Sequence, residues 1–175
     1  MSDVLAGEGL SLRRATAADV GFMVSLAGHE DVEPFMAAVS ARDEESLLEE
    51  VRRAEREPAH RGRFVIEVDG RPAGLLAFEV KNRRSRIAHL YGVMLHPDFR
   101  GRGIAERAAR RLVAHLFDDL GYHRLELEVY GFNERALRHA ERIYVREGVR
   151  RKAYWRHGEW ADGVLFGLLR EDLER

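Results

Sequence analysis

The chain has 175 residues, of which 45% are apolar and 34% charged, an ordinary composition for one globular domain. It contains no cysteine, which excludes disulfides, thiol nucleophiles and cysteine-ligated zinc, and its formal net charge of −1 gives no global basic field for nucleic acid. No apolar stretch reaches the ~18 residues of a membrane span, and residues 1–5 lack the features of a secretory signal. We therefore expect a cytoplasmic protein that holds no metal and binds neither nucleic acid nor membrane.

The N-terminal segment begins with a strand pattern and continues with a helix pattern. Residues 10–13 alternate apolar and polar side chains, which predicts a short strand. Thr16 and Asp19 have the spacing of a capping box, which predicts a helix that runs through about Ala27.

A second helix is predicted after an acidic loop at residues 28–34. Ser40 and Asp43 have the spacing of another capping box. Behind them, apolar residues recur at helical spacing: Leu47, Leu48, Val51 and Ala54.

Three β-rich segments follow in the middle of the chain. Residues 64–68 and 74–80 are joined across an Asp-Gly dipeptide at 69–70, which suits the tight turn of a hairpin. A polar link leads to a third segment, residues 86–95, which Pro97 ends.

The C-terminal half begins with a helix from about Gly103 to Leu120, ended by Gly121. The remaining elements are a strand at 125–129, a short helix at 133–142 and two strands at 151–157 and 164–169, joined through Gly158. Antiparallel hairpins around one strand–helix–strand crossover predict a single α/β domain over residues 1–175, with a core of about 10–173 and a mixed, mostly antiparallel sheet.

The start of the long helix has an unusual composition. The preceding residues read Arg100-Gly101-Arg102-Gly103, so no Ser, Thr, Asp or Asn caps the first helical N–H groups. Arginines also cluster at the end of the helix where the dipole is positive. A bound anion would compensate both features, since glycines leave room for it and free N–H groups point at it. A flexible glycine-rich loop with solvated arginines is the alternative.

Two familiar phosphate-binding patterns do not fit this segment. A dinucleotide-binding fingerprint needs a third glycine where Glu106 stands, and a Walker loop needs Gly-Lys-Ser/Thr, which is absent. The pattern Arg100-x-x-Gly103-x-Ala105 instead resembles the Arg/Gln-x-x-Gly-x-Gly/Ala signature of the GNAT acetyltransferases, and the resemblance extends from about Leu10 to Leu173. The C-terminal Gly158-Glu159-Trp160-x-Asp162 segment resembles the branch that includes ribosomal-protein N-terminal acetyltransferases.

The resemblance implies a cosubstrate, a reaction and a binding loop. The cosubstrate would be acetyl-CoA, and the reaction would be direct transfer of its acetyl group to a primary amine, either of a small molecule or of a peptide N-terminus. Relatives in this family often dimerise, so a monomer and a homodimer both stay open for this chain. The pyrophosphate would be held by the backbone of six residues: Arg100, Gly101, Arg102, Gly103, Ile104 and Ala105.

The same resemblance implies where the pantetheine arm lies. Two parallel strands, 86–95 and 125–129, would splay apart near their ends, and pantetheine would enter the gap and bond to backbone around Leu95. That placement agrees with the rule that ligands bind at the carboxyl ends of parallel strands. Asn133 would bond to the same arm, although an asparagine at this position also suits a helix N-cap.

Candidate acid and base residues lie on these two strands. Alternation along 86–95 places His89, Tyr91 and Leu95 on one face, and His89 stands six residues before Leu95, where many family members carry a base-bearing Glu. An imidazole with a pKa of about 6.5 accepts a proton at neutral pH. Tyr91 either positions the proton path or packs. A half-buried structural histidine is the alternative for His89, with Glu126 and Glu128 as reserve bases.

The usual acid of the family is missing from this sequence. Ala140 stands where many relatives carry the tyrosine that protonates the leaving thiolate, so the acid is left unassigned, with His139 and Tyr144 as replacements. The loss of that tyrosine also keeps open a non-catalytic acyl-CoA-binding module of the same fold. An unrelated nucleotide-binding domain and a structural or interaction protein rank behind it.

Overall fold

A computed structural model describes residues 4–7, 9–36 and 43–174. The N-terminal half consists of β1 (Val4–Gly7), β2 (Leu10–Arg14), α1 (Val20–Ala27), α2 (Glu44–Arg56), β3 (Arg61–Val68), β4 (Arg71–Asn82) and β5 (Ile87–Leu95). The C-terminal half consists of α3 (Ile104–Ala114), β6 (Arg124–Tyr130), α4 (Glu134–Ala140), β7 (Val145–Arg156) and β8 (Glu159–Leu169). Single turns of 3-10 helix precede α1 and α3, and a π-helical turn at His115–Asp119 extends α3.

The strands of the described region form one eight-stranded sheet in the order β1-β2-β3-β4-β5-β6-β8-β7. Every neighbouring pair is antiparallel except β5 and β6, which are parallel and are connected through α3. The predicted class, an α/β domain with a mixed and mostly antiparallel sheet around one central crossover, is therefore confirmed.

Each face of the sheet is covered by its own pair of helices. On one face, the apolar stripe of α3 packs with side chains from β2 to β8, and Leu112 at its centre is fully buried. On the other face, Met23 of α1 and Val51 of α2 pack against Val65 and Leu75. Alternate side chains of one strand therefore face two different cores, which is why the middle strands are apolar along much of their length.

Local sequence signals account for the element ends. The Thr16 N–H donates to Asp19 Oδ2 at 2.8 Å, which confirms the capping box before α1. Before α2 the described cap is Asp43, which accepts from the Ser46 N–H at 2.8 Å, and Ser40 lies outside the described residues. The turn at Asp69 and Gly70 has φ values of 51° and 74°, as a two-residue hairpin requires.

The strands extend further than the sequence patterns indicated. β1 was not predicted at all, and β3, β7 and β8 begin or end several residues beyond the predicted runs. The added residues of β7 are mostly exposed, Val145 and Val149 among them, so they are held by the backbone ladder with β8 and not by burial of apolar side chains.

A bulge in β5 corrects the predicted alternation of that strand. Tyr91 is opposite Ala77 and Met94 is opposite Leu75, so the two residues between them on β5 oppose one on β4. Gly92 occupies the bulge with a φ of 65°. Beyond it the side chains change faces: Leu95 packs into the α3 core with Leu90, whereas Met94 packs into the α1–α2 core. The expectation that Leu95 shares a face with His89 and Tyr91 is wrong.

Two features that bear on function are missing from the described residues. No helix among them is both long and apolar enough to cross a bilayer. No group of three or more His, Cys, Asp or Glu side chains among them is arranged to hold a metal ion.

The packing of α3 generates a stability prediction. Leu112→Ala removes a side chain with 0% exposure and should lower the free energy of unfolding by about 2–5 kcal/mol, since the cavity is enclosed by the sheet. Arg107→Ala, on the exposed side of the same helix, should change it by less than about 0.5 kcal/mol. Urea denaturation of both variants measures the difference, and equal losses would contradict the assigned faces of α3.

Candidate active site

The parallel strands β5 and β6 part after three residue pairs. Ile87, Ala88 and His89 pair with Arg124, Leu125 and Glu126, and no pairing between the two strands continues beyond them in the described sheet. The remaining residues, 90–95 of β5 and 127–130 of β6, flank an open gap. The gap belongs to a cleft of about 990 Å³ that reaches from the start of α3 to the α1–α2 face. The predicted splay is confirmed.

The loop at the start of α3 borders one end of this cleft. Gly103 is the N-cap residue with a φ of 67°, and no side chain caps the first helical N–H groups, as the sequence predicted. Gly101 has a φ of 73°, so both positions adopt the left-handed conformation that favours glycine. A Cβ at either glycine would meet no described atom within 4 Å. Gly101, Gly103, Ile104 and Ala105 all line the cleft.

Arg100 joins this loop to two neighbouring segments. Its Nε donates to the carbonyl of Leu95 at 3.2 Å, and one terminal nitrogen donates to the carbonyl of Asp31 at 3.2 Å. The Asp31 carboxylate lies 3.8 Å from the other terminal nitrogen. The guanidinium therefore fixes the loop against the end of β5 and the α1–α2 connection, while Arg102 is exposed to solvent.

Asn133 occupies the N-cap of α4. Its Oδ1 accepts from the Ala136 N–H at 3.2 Å, so the capping interpretation is confirmed. The residue also lines the cleft, and its amide NH₂ group is left for a second partner. A role toward the pantetheine arm stays a prediction.

His89 and Tyr91 lie together on the α1–α2 face of β5 and both line the cleft. Their rings are nearly parallel, with centroids 6.1 Å apart. Burial lowers the pKa of His89, and Lys81 lowers it further, while Glu79, Glu126 and Glu128 oppose the shift. Burial also raises the pKa of Tyr91, so at neutral pH both side chains are uncharged.

The two glutamates on this face of β6 are in different situations. Glu126 accepts from Arg124 Nε at 2.8 Å and also pairs with Lys81, so both of its oxygens are engaged. Glu128 lines the cleft and accepts from Arg150 at 3.0 Å through one oxygen. Its other oxygen is buried without a hydrogen bond from the described residues.

The segment around Ala140 supplies no evident acid. Ala140, His139 and Tyr144 line the cleft on the α3 side. Burial lowers the pKa of His139, which leaves a neutral imidazole at pH 7. Burial raises the pKa of the enclosed Tyr144 hydroxyl far above its usual range, which makes it a weak proton donor.

The α1–α2 connection covers the other end of the cleft with apolar side chains. Val32, Phe35 and Met36 line the cleft, while Asp31 turns toward Arg100. The carbonyls of Pro34 and Met36 are bound by His157 and Arg156 of the β7–β8 hairpin. This loop therefore lies across the cleft mouth and is held there by Arg100 on one side and by the β7–β8 hairpin on the other.

Two tyrosines of this wall were not predicted from the sequence. Tyr130 and Tyr154 line the cleft, and their rings meet edge to face at 5.1 Å. Tyr130 follows Glu126 and Glu128 at a spacing of two, so strand alternation was a usable signal for it. Tyr154 is brought in by the pairing of β7 with β8 and had no local signal.

Comparison with known proteins gives a family for this chain. The model of the Acetyltransferase (GNAT) family matches residues 29–144, more than half of the chain. The chain is 29% identical over 114 residues to the SPbeta prophage-derived uncharacterized N-acetyltransferase YokL of Bacillus subtilis, covering 64% of each chain. It is 36% identical over 75 residues to the spermidine N(1)-acetyltransferase of Escherichia coli, covering 43% of this chain and 40% of that enzyme. The matches thus span less than two thirds of these relatives.

Solved structures share the fold over nearly the whole chain. A chimera of the spermidine N-acetyltransferase SpeG from Vibrio cholerae and hSSAT superposes with a TM-score of 0.84 at 23% identity, covering 96% of this chain and 100% of the other. The ribosomal L7/L12 alpha-N-protein acetyltransferase RimL, in complex with coenzyme A, also gives 0.84, at 18% identity and 95% and 97% coverage. The resemblance carried by the loop at residues 100–105 is confirmed: the chain belongs to the GNAT acetyltransferase family, whose cosubstrate is acetyl-CoA.

Proposed function

We propose that this protein transfers an acetyl group from acetyl-CoA to a primary amine by direct attack in a ternary complex. The observation that carries the proposal is the continuous path from the uncapped start of α3, through the gap between β5 and β6, to the α1–α2 face. A path that passes through the sheet lets a cosubstrate and an acceptor approach from opposite faces and meet in the gap.

The binding part of the proposal assigns the pyrophosphate to the backbone N–H groups of residues 100–105. Gly103 and Gly101 hold the left-handed turns that leave those groups free, and the helix dipole adds positive potential. The pantetheine arm would follow the unpaired edge of β5 toward Leu95, with Asn133 on the opposite side. Arg100 acts by bracing the loop against Leu95 and Asp31.

The catalytic part of the proposal assigns proton acceptance to His89. An alkyl amine with a pKa near ~10 arrives protonated, and the neutral imidazole accepts that proton directly or through one water. The free amine nitrogen then bonds to the carbonyl carbon, and the bond from that carbon to sulfur breaks. The nitrogen loses its second proton, which passes to the departing coenzyme A thiolate directly or through water, so the products are the amide and free coenzyme A. Backbone N–H groups along the unpaired edge of β5 are placed to stabilise negative charge on the carbonyl oxygen. Tyr91 packs beside His89 and orients the imidazole.

The similar proteins support a primary amine as the acceptor, but they do not favour one kind of amine. A spermidine acetyltransferase and a ribosomal-protein N-terminal acetyltransferase are both among the similar proteins, so a small-molecule amine and a peptide N-terminus are both candidates. A screen of acetyl-CoA consumption over alkylamines, polyamines and peptides tests the proposal. Failure with every acceptor, together with tight acetyl-CoA binding, would favour the non-catalytic acyl-CoA-binding module.

Several sequence-based expectations stay predictions. They are a cytoplasmic location, a monomer or homodimer in solution and the domain bounds of 1–175 with a core of about 10–173.

The cofactor loop generates a prediction at Gly103. Gly103→Ala should weaken acetyl-CoA binding about tenfold or more, because the left-handed turn that frees the helical N–H groups is strained by a Cβ. The same strain should lower the free energy of unfolding by about 1 kcal/mol. Gly158→Ala is the matched control: its φ of 80° carries similar strain in the β7–β8 turn. Calorimetric titration should show unchanged acetyl-CoA affinity in the control, and an equal loss in both variants would contradict the loop assignment.

The histidine generates a pH prediction. Because burial lowers the pKa of His89, kcat/KM should rise with pH through a value below the ordinary ~6.5 and lie on its plateau at pH 7. His89→Ala should lower kcat/KM at pH 7 by about 100-fold, leave acetyl-CoA affinity intact and recover part of the loss at higher pH, where more amine arrives deprotonated. His123→Ala, at an exposed histidine outside the cleft, is the control. Full activity of His89→Ala at pH 7 would show that the residue is structural.

A further inference from the structure

The α1–α2 face of the sheet carries an arginine two strands away from Tyr91. Arg63 of β3 is opposite Ala77 of β4, and Ala77 is opposite Tyr91 of β5. Residues directly opposite each other on antiparallel strands share a face of the sheet. Ala77 is small and buried, so it leaves the space through which the longer arginine side chain reaches the tyrosine. All three residues line the cleft.

The guanidinium of Arg63 makes two contacts that restrict its position. Its Cζ lies over the Tyr91 ring, 5.6 Å from the ring centroid, which is within the range of a cation–π interaction. A terminal nitrogen of the same guanidinium forms an ion pair with the Glu50 carboxylate of α2. The Arg63 side chain is only 16% exposed. Because a cation–π interaction is stronger for a cation that is removed from water, the contact with the ring is a well-defined one.

The Tyr91 ring links this arginine to the proposed base. On its own strand, Tyr91 lies beside His89, with an interplanar angle of 12° and ring centroids 6.1 Å apart. The next residue is Gly92, which has no side chain to pack against the ring. Arg63 therefore supplies the support of the ring on the β4 side, and His89 contacts the ring along β5.

We infer that Arg63, held by Glu50, is a positioning residue that fixes the Tyr91 ring, and that the ring in turn holds the His89 imidazole in its proton-accepting orientation. The inference rests on the proposed function, in which His89 accepts the proton of the amine. A base must stay within hydrogen-bond reach of that proton, and a displacement of about 1 Å lowers the rate by up to about 100-fold. Arg63 takes no part in the proton transfer, because a guanidinium stays protonated at neutral pH.

Removal of the cation tests the positioning role. Arg63→Met combined with Glu50→Gln removes both charges of the ion pair, so no unpaired carboxylate is left in the wall. This double variant should lower kcat for n-butylamine about tenfold, with KM and acetyl-CoA affinity little changed, because only the orientation of the base is lost. Arg63→Lys keeps a cation over the ring and should retain most of the activity.

The matched control is an arginine with the same two kinds of partner. The Arg170 guanidinium lies over the Phe117 ring at 5.4 Å and 2.7 Å from Asp118, and none of the three residues lines the cleft. Arg170→Met combined with Asp118→Asn should keep the wild-type kcat. An unchanged kcat in the Arg63 double variant, an equal loss in the control, or a change confined to KM, as expected if Arg63 touched the acceptor, overturns the inference.

A double-mutant cycle tests whether Arg63 acts through Tyr91. In a Tyr91→Leu background the ring is absent, so Arg63→Met with Glu50→Gln should have little further effect on kcat. A merely structural contribution of the ion pair would lower kcat by the same factor in both backgrounds, since the effects of independent sites add. Equal factors in the two backgrounds therefore contradict the positioning role.

A measurement without any reaction separates this inference from the proposed function. Nuclear Overhauser effects between the ring protons of Tyr91 and of His89 report the contact in protein that holds no substrate. They should weaken when Arg63→Met and Glu50→Gln are combined, and persist in Arg63→Lys and in the Arg170 control. Weakened effects support the positioning role even where no acetyl transfer is measured, in which case only the proposed reaction fails. Unchanged effects, or equal weakening in the control, overturn the positioning role and leave acetyl transfer open.

Discussion

The parting of β5 and β6 after the pair His89–Glu126 is the constraint on which the site depends. Inside a sheet, neighbouring strands normally form backbone hydrogen bonds along their whole length. A sheet in which all strands stay paired has no passage from one face to the other. Here β5 keeps its ladder with β4 up to Leu95, while β6 turns to β8 over its full length. Both strands therefore stay anchored on their outer sides, and the gap between them is held open by the sheet itself.

The gap connects two surfaces of different chemical character. On the α3 side, the start of the helix offers backbone N–H groups between glycines with left-handed conformations. On the α1–α2 side, the wall contains His89, Tyr91 and Glu128 beside apolar side chains and beside charged ones, among them Arg63 over the Tyr91 ring. A phosphate group suits the first surface, because that surface presents backbone donors. The second surface combines the acceptors of His89 and Glu128 with arginine donors.

Long-range contacts close the α1–α2 side of the cleft. The connection between α1 and α2 is bound at Asp31 by Arg100 and, through the carbonyls of Pro34 and Met36, by the β7–β8 hairpin. Each contact joins residues that are about 70 to 120 positions apart in the chain. The position of the α1–α2 connection therefore depends on strands from both ends of the sheet. A substitution in the β7–β8 hairpin would affect this connection through the contacts of Arg156 and His157.

Burial sets the charge state of the groups in the gap. The pKa of His89 is lowered and that of Tyr91 is raised by removal from water, so both are neutral near pH 7. The negative charge in this wall therefore belongs to glutamates. Both oxygens of Glu126 are paired with cations, whereas Oε1 of Glu128 accepts no hydrogen bond from the described residues.

The features that were predicted correctly from the sequence depend on neighbours along the chain. Capping at Thr16, the Asp69-Gly70 turn, the uncapped start of α3 and the stripe centred on Leu112 were all predicted, because each needs only a few adjacent residues. The order of these elements was enough to predict the α/β class, and the loop motif was enough to predict the family.

Which side chains meet in the gap depends on strand pairing across the sheet. Alternation placed Leu95 on the face of His89, but the bulge at Gly92 reverses it, since the extra residue arises from the pairing of β5 with β4. Tyr154 and Gly163 reach Glu128 because β7 pairs with β8, and β8 pairs with β6. Local sequence carries no record of such pairings, because they are chosen by backbone hydrogen bonds and burial across the whole sheet.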